Sequence, residues 1–350
     1  MERVRVGVIG TGGIVRAVHL PQLQSHGKVN LAWCADVNEA AAQDAAQRFG
    51  VPVTGTDYRQ LLKEHPVDAV TIGTPHNAHH DAVMAALEAG VHVCCEKPLA
   101  FNLQEAEEMA GEAKRHGVIT FIPFSYWFVP AARLLKDLID AGELGEIRHV
   151  TGYYGQGLDR MALVWRYQKA VAGSGALGDL CSHIISLTYL WAGPIARLTA
   201  QMKTFIHERP LPGKPGEMGH VDVDDDVQLI GELAGGGMVS LAASRTYTGR
   251  ANYQRIEVSG RDGAAVYDNS KPDELQVCLG KAWRERNAWG TLPVGRQHRL
   301  TQMHAFVDGI LQGRAPEEVR PNFGVGLAVQ RVMDAAERSA ESGQWVELEQ

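Results

Sequence analysis

The chain has 350 residues, enough for two domains that each bury a core, and is 45% hydrophobic and 21% charged, as a globular protein is. Its net charge of −7 and lack of any basic run argue against nucleic acid as a partner. There is no run of about 18 or more apolar residues to span a membrane, and MERVRVGVIG enters a strand pattern at once with no signal-peptide layout, so a cytoplasmic protein is expected.

The first third alternates strand and helix. Strands read at 4–10, 29–35, 68–74, 91–95 and 118–122, and helices at 14–25, 38–50, 56–65, 79–90 and 103–116. Near-continuous apolar strands separated by helices predict a parallel sheet covered on both faces. From about residue 123 the texture changes. A helix reads at 130–141, a strand at 146–155, and a glycine-bearing loop at 172–178 leads into a helix that runs to Trp191. Strand-like runs follow at 196–206, 226–234, 238–247, 253–260, 264–268 and 274–280, with turns such as AGGG between them, as in an antiparallel sheet. Helices return at 301–312 and 324–341, and KPGEMGH (214–220) reads as a mobile loop. Five irregularly spaced cysteines (Cys34, Cys94, Cys95, Cys181, Cys278) suggest reduced thiols. Cys94–Cys95 reads as two core residues on opposite faces of a strand, or as a redox pair.

VGVIGTGGIV places Gly10, Gly12 and Gly13 between the first strand and its helix, where a dinucleotide site needs them. Gly10 permits the tight turn, Gly12 lets backbone N–H groups approach a pyrophosphate, and the helix N-terminus, opening at Ile14, adds its positive end. The third position of G-x-G-x-x-G is Val15, which predicts looser helix–strand packing. Asp36, which follows the second strand, 24 residues after Gly12, can accept hydrogen bonds from the adenosine ribose and would repel a 2′-phosphate. NAD is therefore expected over NADP; alternatively Asp36 precedes and caps the next helix.

The third strand of the run ends in Thr74-Pro75-His76, at the carboxyl edge where open α/β sheets bind ligands. His76, His79 and His80 have a spacing that could bind zinc, against the commoner capping and packing roles of histidines at a helix start. In CCEKPLA, the charged pair Glu96–Lys97 ends a buried strand, and Pro98 biases Lys97 to an extended conformation. It is either a functional pair or a surface salt bridge. Farther on, Asp179 and His183 lie four apart, expected on one helix face behind Gly173, Gly175 and Gly178. A histidine is suited to take a hydroxyl proton while hydride leaves the same carbon. The same pair could instead be two metal ligands or a buried His satisfied by Asp.

These blocks, TPHNAHHDAVMAALEAGVHVCCEKPLA, LIDAGELGEIRHV and AGSGALGDLCSH, together with the closing helix, resemble the glucose–fructose oxidoreductase/inositol dehydrogenase (Gfo/Idh/MocA) family nearly end to end. The resemblance implies a Rossmann doubly wound parallel sheet (1–122), then an α+β substrate-binding and oligomerisation domain with a large, mostly antiparallel open sheet (123–350). The last helix is expected to pack back on the first domain. It implies Lys97, Asp179 and His183 as catalytic residues: Lys97 on the reacting hydroxyl, His183 as general acid/base, Asp179 as substrate ligand and orienter. It also implies Gly10, Gly12, Gly13, Ile14, Asp36, Thr74, Pro75, His79, Glu96 and Lys97 around the cofactor, and a cis Lys97–Pro98 bond. Trp165-Arg166 resembles a W-R element that lines the pocket. FSYWF (124–128) resembles F-x-x-R-F, with Trp127 where arginine is expected, either as a sugar platform or as a core aromatic. HVDVDDD (220–226) lacks the glycine of a calcium loop and reads as a loop and strand start, with His220 near the pocket. The expected function is NAD(P)-dependent hydride transfer on a secondary alcohol of a sugar, inositol or related polyol, by a homodimer or homotetramer with no metal. An NAD-dependent glycosidase using transient oxidation, or a non-catalytic dinucleotide-binding regulator, are the competing readings.

Overall fold

A computed structural model describes residues 2–349 and divides the chain into two compact units, 1–123 with 301–327 and 124–300 with 328–350. In the first, β1 (Val4–Ile9), β2 (Val29–Ala35), β3 (Val53–Gly55), β4 (Ala69–Ile72), β5 (His92–Cys95) and β6 (Thr120–Phe121) form one parallel sheet in the order β3-β2-β1-β4-β5-β6. Helices α1 (Leu20–Ser25), α2 (Glu39–Phe49), α3 (Tyr58–Glu64), α4 (His79–Glu88) and α5 (Leu103–His116) connect the strands. This is the doubly wound Rossmann topology, whose strand order reverses between β1 and β4 and opens a crevice there. Local chemistry sets the helix limits. The Asn38 side chain accepts from Ala41 N–H at the start of α2, and Gly50 closes it at φ 66°. Asn102 and Gly117 do the same for α5.

The second unit begins with α6 (Pro130–Asp140), β7 (Ile147–Gly155), the short α7 (Lys169–Ala172) and α8 (Ser182–Ala192). Then come β8 (Ile195–Lys203), a hairpin of β9 (Glu208–Pro210) with β10 (Met218–His220), β11 (Asp226–Leu233), β12 (Met238–Ser244), β13 (Tyr253–Gly260), β14 (Gly263–Asp268), β15 (Glu274–Leu279), α9 (Lys281–Arg284) and β16 (Gly290–Pro293). With β17 (Val346–Glu347) they build a nine-stranded sheet, β16-β15-β14-β13-β7-β12-β11-β8-β17, antiparallel except for the β7–β12 pair. Its strands alternate buried and exposed residues, so one face carries the core and the other shows Gln228, Ile230, Met238 and Glu257. The loop expected at 214–220 ends in a strand, because Met218–His220 pair with Glu208–Pro210.

After β16 the chain returns to the first unit through α10 (Gln302–Leu311) and the first residues of α11 (Phe323–Ser342). The Phe306 ring stacks 5.7 Å from Phe121, and Phe323 N–H donates to Thr120 Oγ1 at 3.2 Å. The helical run Lys169–Ala192 is long and apolar enough to cross a membrane, but most of it is buried, the state of a core helix. All five cysteines are buried free thiols.

Candidate active site

In the first unit the glycine turn is built by close approach. Gly10 sits at φ 82°, and a Cβ there would lie 2.9 Å from the Gly73 carbonyl. A Cβ at Gly13 would meet nothing within 4 Å, and at Gly12 only the Gly73 oxygen at 3.8 Å, so the turn presents open backbone to a ligand. Ile14 beside it is exposed. Packing behind the turn is tight rather than loose. Val15 is fully buried, and its Cγ2 would lie 2.2 Å from a Cβ on Gly73, so the close contact that a third motif glycine would allow is made possible by the glycine on the opposite side. The helix that follows opens with a π-turn, Val15–His19, before α1.

Asp36 follows β2 with both oxygens engaged. Oδ2 accepts from Thr11 N–H and Thr11 Oγ1, each at 2.8 Å, and Oδ1 accepts from Asn38 N–H at 2.9 Å, tying the turn to the start of α2. At the carboxyl end of β4, Thr74 Oγ1 is buried with no partner in the protein, a hydroxyl left for a ligand at the crevice. Pro75 starts the 3-10 turn His76–Ala78. The three histidines do not converge. His79 Nδ1 faces the Pro98 and Leu99 carbonyls (3.1 and 3.3 Å) and Nε2 the Thr74 carbonyl (3.1 Å), whereas His80 Nε2 meets Glu108 at 3.0 Å and the His76 ring lies 5.7 Å from that of His79. Among the described residues no group of three potential ligands could hold a metal. Buried His79 thus braces the loops after β4 and β5 from behind, and burial holds its pKa below the ordinary histidine range despite those carbonyls and Glu96.

Lys97 follows β5, and its bond to Pro98 is cis. Glu96, buried, accepts from Lys97 N–H through Oε2 at 3.0 Å. Its Oε1 lies 2.8 Å from Nε2 of His19, a residue the sequence reading did not single out. Burial alone would raise the Glu96 carboxyl. Its hydrogen bond to His19 and the charges of His19 and Lys97 outweigh that and hold it below the ordinary range.

In the second unit Asp224 shapes the chain ahead of Asp179. Its Oδ1 accepts from Gly175 N–H (2.6 Å) and its Oδ2 from Leu177 N–H (2.8 Å). A Cβ at Gly175 would come 1.8 Å from the Asp224 carbonyl oxygen, so only glycine fits. The acidic run at 220–226 therefore serves as backbone support, and His220 is exposed. Asp179 lies not in a plain α-helix but in a single π-turn, Leu177–Cys181, that runs into α8; such widened turns often occur at functional sites. Asp179 Oδ2 takes a hydrogen bond from Arg245 Nη2 at 3.0 Å, and Oδ1 lies 4.0 Å from Arg166 Nε. Arg245 is 1% exposed, and a second buried arginine, Arg209, stacks 3.9 Å from the ring of Tyr167, with Arg245 5.1 Å from the same ring. Between two guanidinium groups Asp179 is a fixed acceptor. The Arg166 guanidinium also covers the Trp165 ring at 4.4 Å.

His183, 7% exposed, sits among aromatic rings: Tyr126 at 4.8 Å edge-on, Tyr154 at 6.1 Å and Phe124 at 6.2 Å. The Tyr126 and Tyr154 hydroxyls are 3.0 Å apart, and both donate to Asn252 Oδ1, at 3.1 and 2.6 Å. Gln156 Nε2 reaches the Tyr154 hydroxyl (3.2 Å) and Asn252 (3.1 Å). Burial raises the Tyr154 phenol far above its ordinary range, so it remains a neutral hydroxyl. Trp127 is buried at 7% exposure and donates from Nε1 to the Ser186 carbonyl at 3.1 Å, a packing role like that of a core aromatic.

Family models match both parts of the chain: an oxidoreductase family with an NAD-binding Rossmann fold over residues 4–124, and a GFO/IDH/MocA C-terminal domain over 132–266. The chain belongs to the Gfo/Idh/MocA oxidoreductases. It is 31% identical to levoglucosan dehydrogenase of Pseudarthrobacter phenanthrenivorans, across 100% of this chain and 99% of that one. It is 28% identical to myo-inositol 2-dehydrogenase of Thermotoga maritima, across 99% of each. The levoglucosan dehydrogenase structure with NADH and levoglucosan superposes at TM-score 0.91, with 31% identity and coverage of 99% of this chain and 100% of that one. As a member of this family the chain carries an NAD-binding Rossmann domain, and the open glycine turn and the unpartnered Thr74 hydroxyl fit that cofactor.

Proposed function

We propose that the protein is an NAD-dependent dehydrogenase of a cyclic polyhydroxy compound, a pyranose, anhydrosugar or inositol, acting on one secondary alcohol. The observation that carries this reading is His183, held in an aromatic surround beside neutral hydroxyl and amide groups, one turn from an Asp179 fixed as an acceptor by Arg245. Neutral donors and acceptors suit ring hydroxyls, and relatives across the whole chain are named for such substrates.

When bound, NAD supplies the hydride acceptor. Gly10, Gly12, Gly13 and Ile14 would hold its pyrophosphate, Asp36 its adenosine ribose, and Thr74, Pro75 and the loop braced by His79 its nicotinamide side. Lys97 donates to the reacting hydroxyl and stabilises its alkoxide character, His183 accepts the hydroxyl proton, and Asp179 accepts from a substrate hydroxyl to fix the ring. Arg166 and Trp165 line the sugar. A homodimer or homotetramer would use the open face of the nine-stranded sheet, which exposes Ile230 and Met238; the light-scattering mass in solution tests this. The functional test is NADH formation across inositols, aldoses, glycosides and anhydrosugars. Turnover of at least one cyclic polyol is expected, and silence across the panel with NAD bound would overturn the reading.

A further inference from the structure

The first unit contains a buried histidine with both ring nitrogens engaged. His19 closes the π-turn behind the glycine loop and is 0% exposed. Its Nδ1 lies 2.8 Å from Thr71 Oγ1 on β4, and its Nε2 lies 2.8 Å from Glu96 Oε1 at the end of β5. The other Glu96 oxygen accepts the backbone N–H of Lys97 at 3.0 Å. An ionised carboxylate has only acceptors, so Nε2 must carry the proton; the Thr71 hydroxyl can meet Nδ1 as donor or as acceptor. A carboxylate held at one oxygen only could turn about its side chain toward the ammonium beside it. Held at both, it is fixed, and with it the backbone from which the Lys97 side chain departs.

We propose that His19 is a positioning residue for Lys97, acting through Glu96: it anchors Oε1 so that Oε2 locks the peptide of Lys97 and sets where the ammonium points. A continuous bonded path thus links the helix behind the nucleotide turn to the lysine, through side chains that are all buried. The effect on turnover rests on the proposed role of Lys97 in hydride transfer; the effect on Lys97 itself does not.

The test uses His19→Asn, His19→Gln, Glu96→Gln and the His19→Asn/Glu96→Gln double variant of the full chain. Asparagine places its amide where Nδ1 stands and cannot reach Glu96, whereas glutamine extends an N–H to the Nε2 position. Two quantities are read: kcat/KM for NAD reduction, and the rate at which an amine-acylating reagent labels Lys97, followed by peptide mass spectrometry. NADH affinity serves as the folding control. His19→Asn is expected to lower kcat/KM about tenfold or more and to change Lys97 labelling several-fold. His19→Gln should return both close to the wild-type values. The double variant should match Glu96→Gln alone, because the two residues act in one path. Unchanged Lys97 labelling in a folded, NADH-binding His19→Asn protein would overturn the proposal, as would effects that multiply in the double variant. If the wild-type protein reduces no NAD, the functional reading fails and labelling alone decides the inference. If His19→Asn does not fold, Glu96→Gln and His19→Gln decide: altered labelling in the first with near-wild-type labelling in the second supports the path, and unaltered labelling in the first overturns it.

Discussion

Gly73→Ala probes how the dinucleotide turn is held. An added Cβ would lie 2.2 Å from Val15 Cγ2, more than an ångström inside ordinary contact, and Val15 is fully buried with nowhere to retreat. Overpacking of this kind costs about 1–3 kcal/mol. Gly10 leans on the same Gly73 carbonyl, so relief by backbone movement would displace the turn itself. Stability should fall by that amount in urea denaturation, and NADH affinity, followed by its fluorescence, should drop about tenfold or more, since roughly 1.4 kcal/mol is a factor of ten. Adding Val15→Ala to Gly73→Ala removes the colliding methyls. The double variant should recover most of the NADH affinity while losing about 2 kcal/mol of apolar burial. Wild-type affinity in Gly73→Ala, or a double variant no better than the single, would mean that the Val15–Gly73 contact does not hold the turn.

Other perturbations have equally definite outcomes. Arg245→Met removes a buried partner of Asp179 and should destabilise the protein by about 2–4 kcal/mol in denaturant titration, with a larger loss in kcat/KM than in NADH affinity. Burial, reinforced by Asp224, Asp334 and Glu341 and opposed by Lys169, pushes Glu337 up from 4.5 to about 7. The stability of this site is therefore full below the ordinary carboxyl range and is lost as pH rises toward neutrality. Glu337→Gln should gain on the order of 2 kcal/mol near about pH 8 and almost nothing near about pH 4, read as a pH-dependent difference in Tm. Asp36→Ala should move cofactor preference toward NADP and, because Asp36 also holds Thr11 and Asn38, weaken NAD binding; unchanged selectivity would remove Asp36 from ribose recognition.

The Rossmann half was legible because its signals are local. Apolar strand runs, the Asn38 and Asn102 caps and the closing glycines each act within a few residues. Gly10, Lys97, Asp179 and His183, proposed for the site, were visible because they stand in compact motifs. The partners that set their chemistry were not visible. His19 reaches residues 52 and 77 positions away, Arg245 reaches Asp179 across 66, and the Tyr154–Asn252 bond spans 98. No periodicity in the chain encodes those distances. The two π-turns were hidden because one widened turn barely disturbs a helical pattern, and the β9–β10 hairpin because its strands are three residues each. At Val15 the local motif shows only one side of a contact. The glycine that makes room stands 58 positions later, at Gly73.

Lys97 is proposed to serve hydride transfer from a secondary alcohol. The most direct test follows NADH absorbance with the best substrate of the polyol panel, comparing wild type with Lys97→Ala while NADH affinity is measured in parallel. Turnover is expected to fall by several orders of magnitude in the variant, with NADH binding retained and the protein folded. Turnover close to wild type in Lys97→Ala would contradict it.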